Sequence, residues 1–277
     1  MDRETARAVA PWVRRLARYG YAAKGAVYMV VGGLALQAAV GAGGATTDTE
    51  GALRAIIAQP MGVILLMIVG VGLLSYTAWR FVQSIFDIEG KGRDFHGLLK
   101  RFGYMASGVA YASLGLSALR QSVGIAAYGG RSQEDWTRLV LSHPFGRWLV
   151  FAAGLVLAAL AINAAVVALT RMYRRKLMRE EMSDAAWRWA ATTAVVGLLA
   201  RGLVFAMVAL FFIQAAWERD ATEAGGLAQV LVAIASQPQG PWLLGITSAG
   251  LVAYGVYVEI EARYRRIPLD EHKRMFE

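Results

Sequence analysis

Three matching positions in this sequence carry side chains that can bind an anion within an apolar environment. Lys24 and Arg201 each lie about one turn after the start of an apolar run, and Ser107 holds the same place in a third run. Ionisable residues in such runs are candidates for function, because burying a charge is costly. We therefore predict a ring of these side chains that meets an anionic substrate or lipid head group. The alternative is a structural cation that either extends its long side chain to the polar surface or contacts a neighbouring helix.

Aromatic and acidic neighbours extend this candidate site. Tyr28 and Tyr111 lie four residues beyond the first two ring positions, on the same helix faces. Glu259 and Glu261, near the end of the last apolar run, are candidates to pair with the ring cations, and a place at the membrane interface is the alternative. Packing between rings is the alternative role for the tyrosines. The predicted ligand-binding residues are Lys24, Ser107, Arg201, Tyr28, Tyr111 and Glu259.

The sequence lacks the residue sets that most covalent and metal chemistry requires. It contains no cysteine, which excludes disulfides, thiolate metal ligands and a cysteine nucleophile. The histidines, His96, His143 and His272, are far apart and lack the spacing of metal ligands. The sequence also has no nucleophile–base motif and no glycine-rich phosphate loop. We predict no catalytic residue, no metal site and no cofactor.

The composition indicates a membrane protein. Hydrophobic residues make up 57% of the 277 residues and charged residues only 18%, against about 25% in soluble domains. Apolar runs of about 20 residues are long enough to cross a bilayer. Six runs predict transmembrane helices at about 19–40, 60–82, 102–123, 144–170, 196–217 and 241–260. Short helices are expected at 49–57 and at 136–141, the second with a cap at Ser132, and 227–235 is a short apolar segment.

Basic residues between the apolar runs predict the orientation. Twenty-two of the 29 lysine and arginine residues fall on the side that holds both termini, and such an excess faces the cytoplasm. We therefore expect cytoplasmic N- and C-termini, with anionic bilayer lipids at the basic loops. Arg80, beside Trp79, is interpreted as an interfacial anchor. The net charge of +9 follows from this topology, and without a nucleic-acid-binding motif we expect no nucleic-acid partner.

A glycine pattern recurs three times along the chain, together with a proline pattern. Small residues let membrane helices approach closely, so the glycines predict helix contacts. These glycines are Gly20, Gly25, Gly32, Gly103, Gly108, Gly115, Gly197 and Gly202. The proline elements are Gln59-Pro60-Met61-Gly62, His143-Pro144-Phe145-Gly146 and Gln237-Pro238-Gln239-Gly240. We expect Pro60 and Pro144 to open their spans, in a first turn where the missing N–H costs nothing, and Pro238 to precede the last span.

The three copies predict the architecture. Each copy has two spans, so the copies are parallel and related by an axis along the membrane normal. We expect an all-α integral membrane protein of six transmembrane helices, arranged as three parallel two-helix repeats with pseudo-threefold symmetry. The predicted boundaries are a basic N-terminus at 1–18, repeats at 19–90, 98–175 and 190–268, and a tail at 269–277. Because the first span belongs to this pattern, we do not interpret it as a cleaved signal peptide.

The middle copy departs most from the pattern. It has Ser107 in place of a cation, and Leu160 and Asn163 in place of aromatic residues. The corresponding aromatic pairs in the other copies are Tyr76 with Trp79, and Tyr254 with Tyr257.

These motifs resemble one known family. The repeated Gly-Tyr and Gly-x-x-Tyr elements, the Gln-Pro-x-Gly element and the ending Ala262-Arg263-Tyr264-Arg265-Arg266-Ile267 are similar to bacterial six-span membrane proteins grouped as domain of unknown function 1206. The resemblance covers about residues 15–268. It implies this fold and the bacterial plasma membrane, and it implies no activity or catalytic residue.

Three functions remain open from the sequence. The first is a non-enzymatic membrane protein that binds or passes a small or lipidic anion through the helix bundle. The second is a structural or assembly scaffold, and the third is a lipid-modifying enzyme. A hydrated cavity along the bundle axis, lined by Lys24, Ser107 and Arg201, would favour the first function, and a dry, closely packed axis would favour the second.

Overall fold

The computed structural model describes residues 3–125 and 133–266, and this part of the chain is helical. Its α-helices are α1 (Arg3–Ala39), α2 (Thr49–Ile57), α3 (Gly62–Phe86), α4 (Phe95–Ser122), α5 (Gln133–Leu141), α6 (Gly146–Leu169), α7 (Asp184–Glu218), α8 (Leu227–Ala235) and α9 (Gly240–Tyr264). Short 3₁₀ helices occupy Met172–Lys176, Arg179–Glu181 and Ala221–Glu223. The predicted cap Ser132 and the predicted tail 269–277 lie outside the described residues.

Five of these helices are long and apolar enough to cross a membrane: α1 from Pro11 onward, α3, α6, α7 and α9. They correspond to five of the six predicted spans. The sixth predicted span is α4, whose 28 residues give it enough length. Polar and small residues in its centre, such as Tyr104, Ser107 and Tyr111, make α4 less apolar than the other five.

The short helices before the spans end in one repeated turn. The turn is closed by a hydrogen bond from the amide of Gly62 to the carbonyl of Gln59 at 2.8 Å. The amides of Gly146 and Gly240 donate to the equivalent carbonyls at 2.9 and 2.8 Å. A Cβ at Gly62 would lie 2.3 Å from the carbonyl oxygen of Ile57, so the turn requires glycine. Pro60 and Pro144 lie two residues before the helices α3 and α6 rather than in their first turn, which corrects that expectation. Pro238 precedes α9, as expected.

The long helices pack in a definite order. Helices from successive predicted repeats pair closely, and these pairs are α3 with α4, α6 with α7, and α9 with α1. Within the first and third repeats, α1 packs on α3 and α7 packs on α9. Within the described residues, the two helices of the middle repeat, α4 and α6, do not form a packed pair of this kind. The long helices therefore follow one another as α4, α3, α1, α9, α7 and α6, with α4 and α6 at the two ends.

The outer surface of this bundle is apolar. Ile68, Ile162, Leu210 and Ile246 are each more than 60% exposed, on four different helices. Large side chains such as Trp79 and Tyr76 are buried between helices instead. Apolar side chains on the outside are expected where lipid, not water, surrounds a helix bundle.

Candidate functional site

Cationic and tyrosine side chains from five helices meet inside the bundle. We call them the cation–tyrosine cluster, and its members are Lys24, Tyr28, Tyr76, Arg80, Tyr111, Arg201 and Tyr254. They come from α1, α3, α4, α7 and α9. The helix α6 contributes none of them. The cluster is therefore formed mainly by the first and third repeats, with Tyr111 as the one contribution from the middle repeat.

Lys24 lies at the centre of this cluster. It is only 4% exposed, and its Nζ donates a hydrogen bond to the hydroxyl of Tyr76 at 3.3 Å. The same nitrogen lies 5.1 Å from the ring centroid of Tyr76, 5.5 Å from that of Tyr111 and 5.6 Å from that of Tyr254. An aromatic face attracts a cation through its quadrupole. Three rings from three helices thus surround one ammonium group.

Tyr76 joins Lys24 to a second cation. The Nε of Arg80 donates to the hydroxyl of Tyr76 at 2.8 Å, and a terminal nitrogen of Arg80 donates to the same oxygen. The other terminal nitrogen donates to Oε1 of Gln83 at 2.9 Å. Arg80 and Tyr76 are four residues apart on α3, which places both on one helix face. One phenol oxygen therefore accepts hydrogen bonds from both Lys24 and Arg80.

Arg201 approaches from α7. Its guanidinium carbon lies 4.4 Å from the ring centroid of Phe205 and 5.0 Å from that of Tyr254. Lys24 lies near the same Tyr254 ring, so the two cations share one aromatic neighbour. The Nε of Arg201 is buried and has no hydrogen-bond acceptor among the described residues. This donor is therefore available to a ligand.

The cluster carries positive charge without acidic partners. Among the described residues, no carboxylate oxygen lies within 4.0 Å of the charged nitrogens of Lys24, Arg80 or Arg201. Aromatic contacts offset only part of the cost of removing a charge from water. An anion that enters such a site stabilises it electrostatically, because it pairs with the buried positive charges.

The structure brings four of the six predicted ligand-binding residues into the cluster. Lys24, Tyr28, Tyr111 and Arg201 lie in the cluster, where the ring of Tyr28 packs edge-on against Tyr254 at 4.8 Å. The side chain of the half-buried Ser107 makes no hydrogen bond to any described residue.

The two predicted acidic partners do not pair with the ring cations. Glu259 forms no ion pair within the described residues, and its carboxylate lies against Gly25 between α1 and α9. Glu261 binds Arg265 at 2.7 Å instead of Lys24 or Arg201. The predicted ion pairs with the ring cations are therefore absent from the described structure.

The structure corrects the interpretation of Arg80 as an interfacial anchor. Its neighbour Trp79 favoured an interfacial anchor, whereas the side chain points into the cluster. The repeat gave no guidance, since Ala164 and Val258 hold the equivalent positions. Its spacing of one turn from Tyr76 was the signal that could have identified it.

The repeated glycines lie at close helix contacts, with one exception. A Cβ at Gly20 would lie 2.5 Å from the backbone of Tyr76, and one at Gly197 would lie 2.4 Å from the backbone of Tyr254. At Gly25, Gly32, Gly108, Gly115 and Gly202 the nearest atom would lie between 2.6 and 3.3 Å away. At Gly103 nothing lies within 4 Å, because this glycine is on the side of α4 that would meet α6.

A polar network closes the end of the bundle nearest the cluster. Oε1 of Glu89 accepts hydrogen bonds from Gln83 at 2.6 Å and from Arg265 at 3.2 Å. Its other oxygen accepts one from Tyr104 at 2.8 Å. Burial opposes the ionisation of Glu89, but the charge of Arg265 and the Tyr104 hydrogen bond outweigh it and lower the pKa of Glu89 to about 2. We call these residues, with Glu261, the Glu89 network.

The chain around residues 176–178 ties this network to the C-terminal segment. The amide of Met178 donates to the carbonyl of Tyr264 at 2.9 Å, and the amide of Arg266 donates to that of Lys176 at 2.8 Å. Gln83 connects the network to the cluster, because it accepts a hydrogen bond from Arg80 and donates one to Glu89. The ring of Tyr21 lies between them as well, with its centroid 4.9 Å from Arg265 and 5.2 Å from the ring centroid of Tyr76. The linkers and the C-terminal segment thus meet at one end.

The apolar helices and the three repeats define a helical multi-pass membrane protein. The chain belongs to the family described as Domain of Unknown Function (DUF1206), which matches residues 19–87, 102–171 and 196–265 as three tandem copies. It is 33% identical over 257 residues to the uncharacterized protein YxxB of Bacillus subtilis (strain 168), and the match covers 93% of each chain. No solved structure matches the chain.

Proposed function

We propose that this protein crosses the bacterial plasma membrane six times, with α4 as the sixth span and both termini in the cytoplasm. The excess of lysine and arginine at the linker end supports the orientation. The length of α4 and its close packing on α3 support its role as a span. The recurrence of the α3–α4, α6–α7 and α9–α1 pairs supports a pseudo-threefold arrangement of the repeats. Exposed linker residues such as Arg175 bind anionic lipid head groups in this orientation.

We propose that the cation–tyrosine cluster binds an anionic ligand. The observation that carries this proposal is a set of three cations, Lys24, Arg80 and Arg201, without a carboxylate partner among the described residues. Lys24 and the free Nε of Arg201 supply the charge and a hydrogen-bond donor, and the tyrosine hydroxyls supply further polar contacts. A phosphate or carboxylate group matches these donors, because guanidinium groups bind planar and tetrahedral oxyanions well.

The surroundings favour binding over passage along the axis. From Lys24 towards the far end of α1, the buried residues beyond Tyr28 include Val31 and Ala35, both 0% exposed, and Val27 beside Tyr28 is 1% exposed. This apolar packing lies between the cluster and the end that α2 and α8 cover. An ion crossing it would leave its polar contacts, so the packing opposes passage along the axis.

A membrane scaffold is the second candidate function. The backbone contacts at Gly20, Gly197 and Gly32 favour it, because they make a rigid, closely packed bundle. A scaffold needs no anion, so the effect of an anion on the stability of the fold distinguishes the two functions.

The test is thermal unfolding of the full-length chain in a neutral detergent with inorganic phosphate or dodecyl phosphate. Saturation of the site is expected to stabilise the protein by about 2–3 kcal/mol. The variant Lys24→Met with Arg201→Met is expected to lose this effect. Without the probes, this variant should unfold no earlier than the wild type, because replacing unpaired buried charges by apolar groups is often neutral or stabilising.

The matched control is Arg175→Met with Arg263→Met, which removes two exposed charges from the linker end. It should keep the stabilisation by the probe. If neither probe stabilises the wild type more than the Lys24 and Arg201 variant, the proposed site is wrong and the scaffold is favoured.

A further inference from the structure

The middle repeat leaves one side of the bundle unpaired. In the first repeat, Tyr76 is buried against Gly20 of the neighbouring helix, and in the third repeat Tyr254 is buried against Gly197. The equivalent residue of the middle repeat, Leu160, is 43% exposed. We call the space between α4 and α6 the α4–α6 gap, and Gly103, Ser107, Leu160 and Asn163 mark its two sides.

This gap leads to the cation–tyrosine cluster. On the α4 side, the half-buried Tyr111 lies within 5.5 Å of Lys24 and 4.8 Å of Tyr76, measured to ring centroids. On the α6 side, Ala161 contacts Gly202, the residue that follows Arg201 on α7. Tyr111 thus connects the α4 side directly to Lys24, and the α6 side lies next to the turn of α7 that carries Arg201. Since α6 supplies no member of the cluster, its side of the site is the least covered.

Both ends of the bundle are more fully closed than this side. The Glu89 network and Tyr21 cover the cluster at the linker end. Buried apolar residues of α1, α2 and α8 cover it from the other end. A ligand that reaches the cluster without unpacking either end must therefore come from the side, and the side faces the hydrocarbon of the bilayer.

We propose that the ligand is an anionic membrane lipid, which enters through the α4–α6 gap and places its phosphate at Lys24 and Arg201. This inference rests on the proposed function and adds the class of ligand and its route. Lys24 is one helical turn from Gly20, near the linker end, so the head group stays close to the level of other lipid head groups. The acyl chains lie along the apolar residues of α4 and α6, such as Leu160. Charge complementarity selects an acidic over a zwitterionic lipid.

The test is photolabelling of the full-length chain in phosphatidylcholine vesicles that contain a minor fraction of phosphatidylglycerol with a diazirine in its acyl chain. We expect labelling of α4 and α6 beside the gap. The labelling should fall by about tenfold or more in Lys24→Met with Arg201→Met, because two attractive charges are removed. In the Arg175→Met and Arg263→Met control, labelling beside the gap should match that of the wild type, because these two exposed charges lie outside the cluster, and only labelling at the linker end should fall.

The route is tested by blocking the gap, and the natural lack of cysteine makes this possible. Leu160→Cys places a thiol in the gap, whereas Ile162→Cys places one on the opposite side of α6, where Ile162 is 65% exposed. A bulky maleimide on the first variant should abolish the labelling that depends on Lys24 and Arg201. The same reagent on the second variant should leave this labelling unchanged.

The two proposals fail in different ways. If phosphate or dodecyl phosphate stabilises the wild type through Lys24 and Arg201, but labelling is the same with the gap blocked, the cluster binds an anion by another route. The lipid inference is then overturned and the proposed function stands. If labelling is uniform over the outer helix faces and no anion stabilises the protein, both proposals are overturned.

Discussion

The middle repeat and its two neighbours follow one pattern but pack differently. In the first and third repeats, a glycine on the odd helix touches the backbone of a tyrosine on the even helix. In the middle repeat, Gly103 has no neighbour at this place and Leu160 is exposed. The contacts between successive repeats are kept in all three cases. The difference shows that contacts between repeats hold the bundle together even where one repeat is open.

The physical cause lies in a few side chains of the even helices. Trp79 and Tyr257 are buried, with exposures of 1% and 3%, and the ring of Tyr257 lies 6.2 Å from that of Tyr173. Their counterpart Asn163 is small, polar and exposed. An aromatic ring buries far more area than an amide does. Loss of the aromatic pair removes the contact that would close the middle repeat.

The largest expected effect tests this contrast directly. Trp79→Ala should destabilise the protein by about 3–5 kcal/mol, because it leaves a cavity between packed helices. Asn163→Ala at the equivalent position should change stability by less than about 0.5 kcal/mol. Unfolding of both variants by dodecyl sulfate in mixed micelles gives the comparison. Similar losses in the two variants would show that α4 and α6 are packed together after all.

The Glu89 network should contribute an acid-sensitive part of the free energy of unfolding, similar in size to the effect of Trp79→Ala. The folded-state pKa of Glu89 is about 2, below its ordinary value of 4.5. The stabilisation is therefore complete above pH 4.5 and is lost as the pH falls from there through 2. The shift corresponds to about 3 kcal/mol.

Glu89→Gln is expected to remove this pH-dependent stabilisation. Its stability should be lower at neutral pH and should change less than that of the wild type on acidification. Because Glu180 has an exposed ion pair with Arg266, Glu180→Gln is the matched control and should follow the wild-type profile. An unchanged acid profile in Glu89→Gln would place the acid sensitivity elsewhere.

The smallest expected changes in stability are those of glycine-to-alanine substitutions, which distinguish the glycines at close helix contacts from Gly103. Gly20→Ala and Gly197→Ala should each cost about 1–3 kcal/mol, since the added Cβ meets the backbone of a neighbouring helix. Gly103→Ala should stabilise its helix by about 0.5–1 kcal/mol, because nothing opposes the methyl group and alanine favours helix. Thermal unfolding in detergent measures all three. A loss in Gly103→Ala as large as in Gly20→Ala would contradict the open middle repeat.

The sequence predicted the helices well because their signals are local. The apolar runs agree with the long helices. The segment 49–57, expected to be helical, agrees with α2, and the short apolar segment 227–235 forms α8. Spacing from Gly20 and Gly197 also placed Lys24 and Arg201 at equivalent positions. The open middle repeat was not predicted, because whether Leu160 meets Gly103 depends on packing across two separate helices. Arg80 was misinterpreted for the same reason, since its direction is set by Tyr76 and Gln83.

The central claim is that Lys24 and Arg201 hold an anion inside the membrane. Native mass spectrometry of the full-length chain, released from neutral detergent micelles that contain equal amounts of phosphatidylglycerol and phosphatidylcholine, tests it most directly. The wild type should retain phosphatidylglycerol in preference to phosphatidylcholine, and Lys24→Met with Arg201→Met should lose that preference. Equal retention of phosphatidylglycerol by the two proteins would contradict the claim.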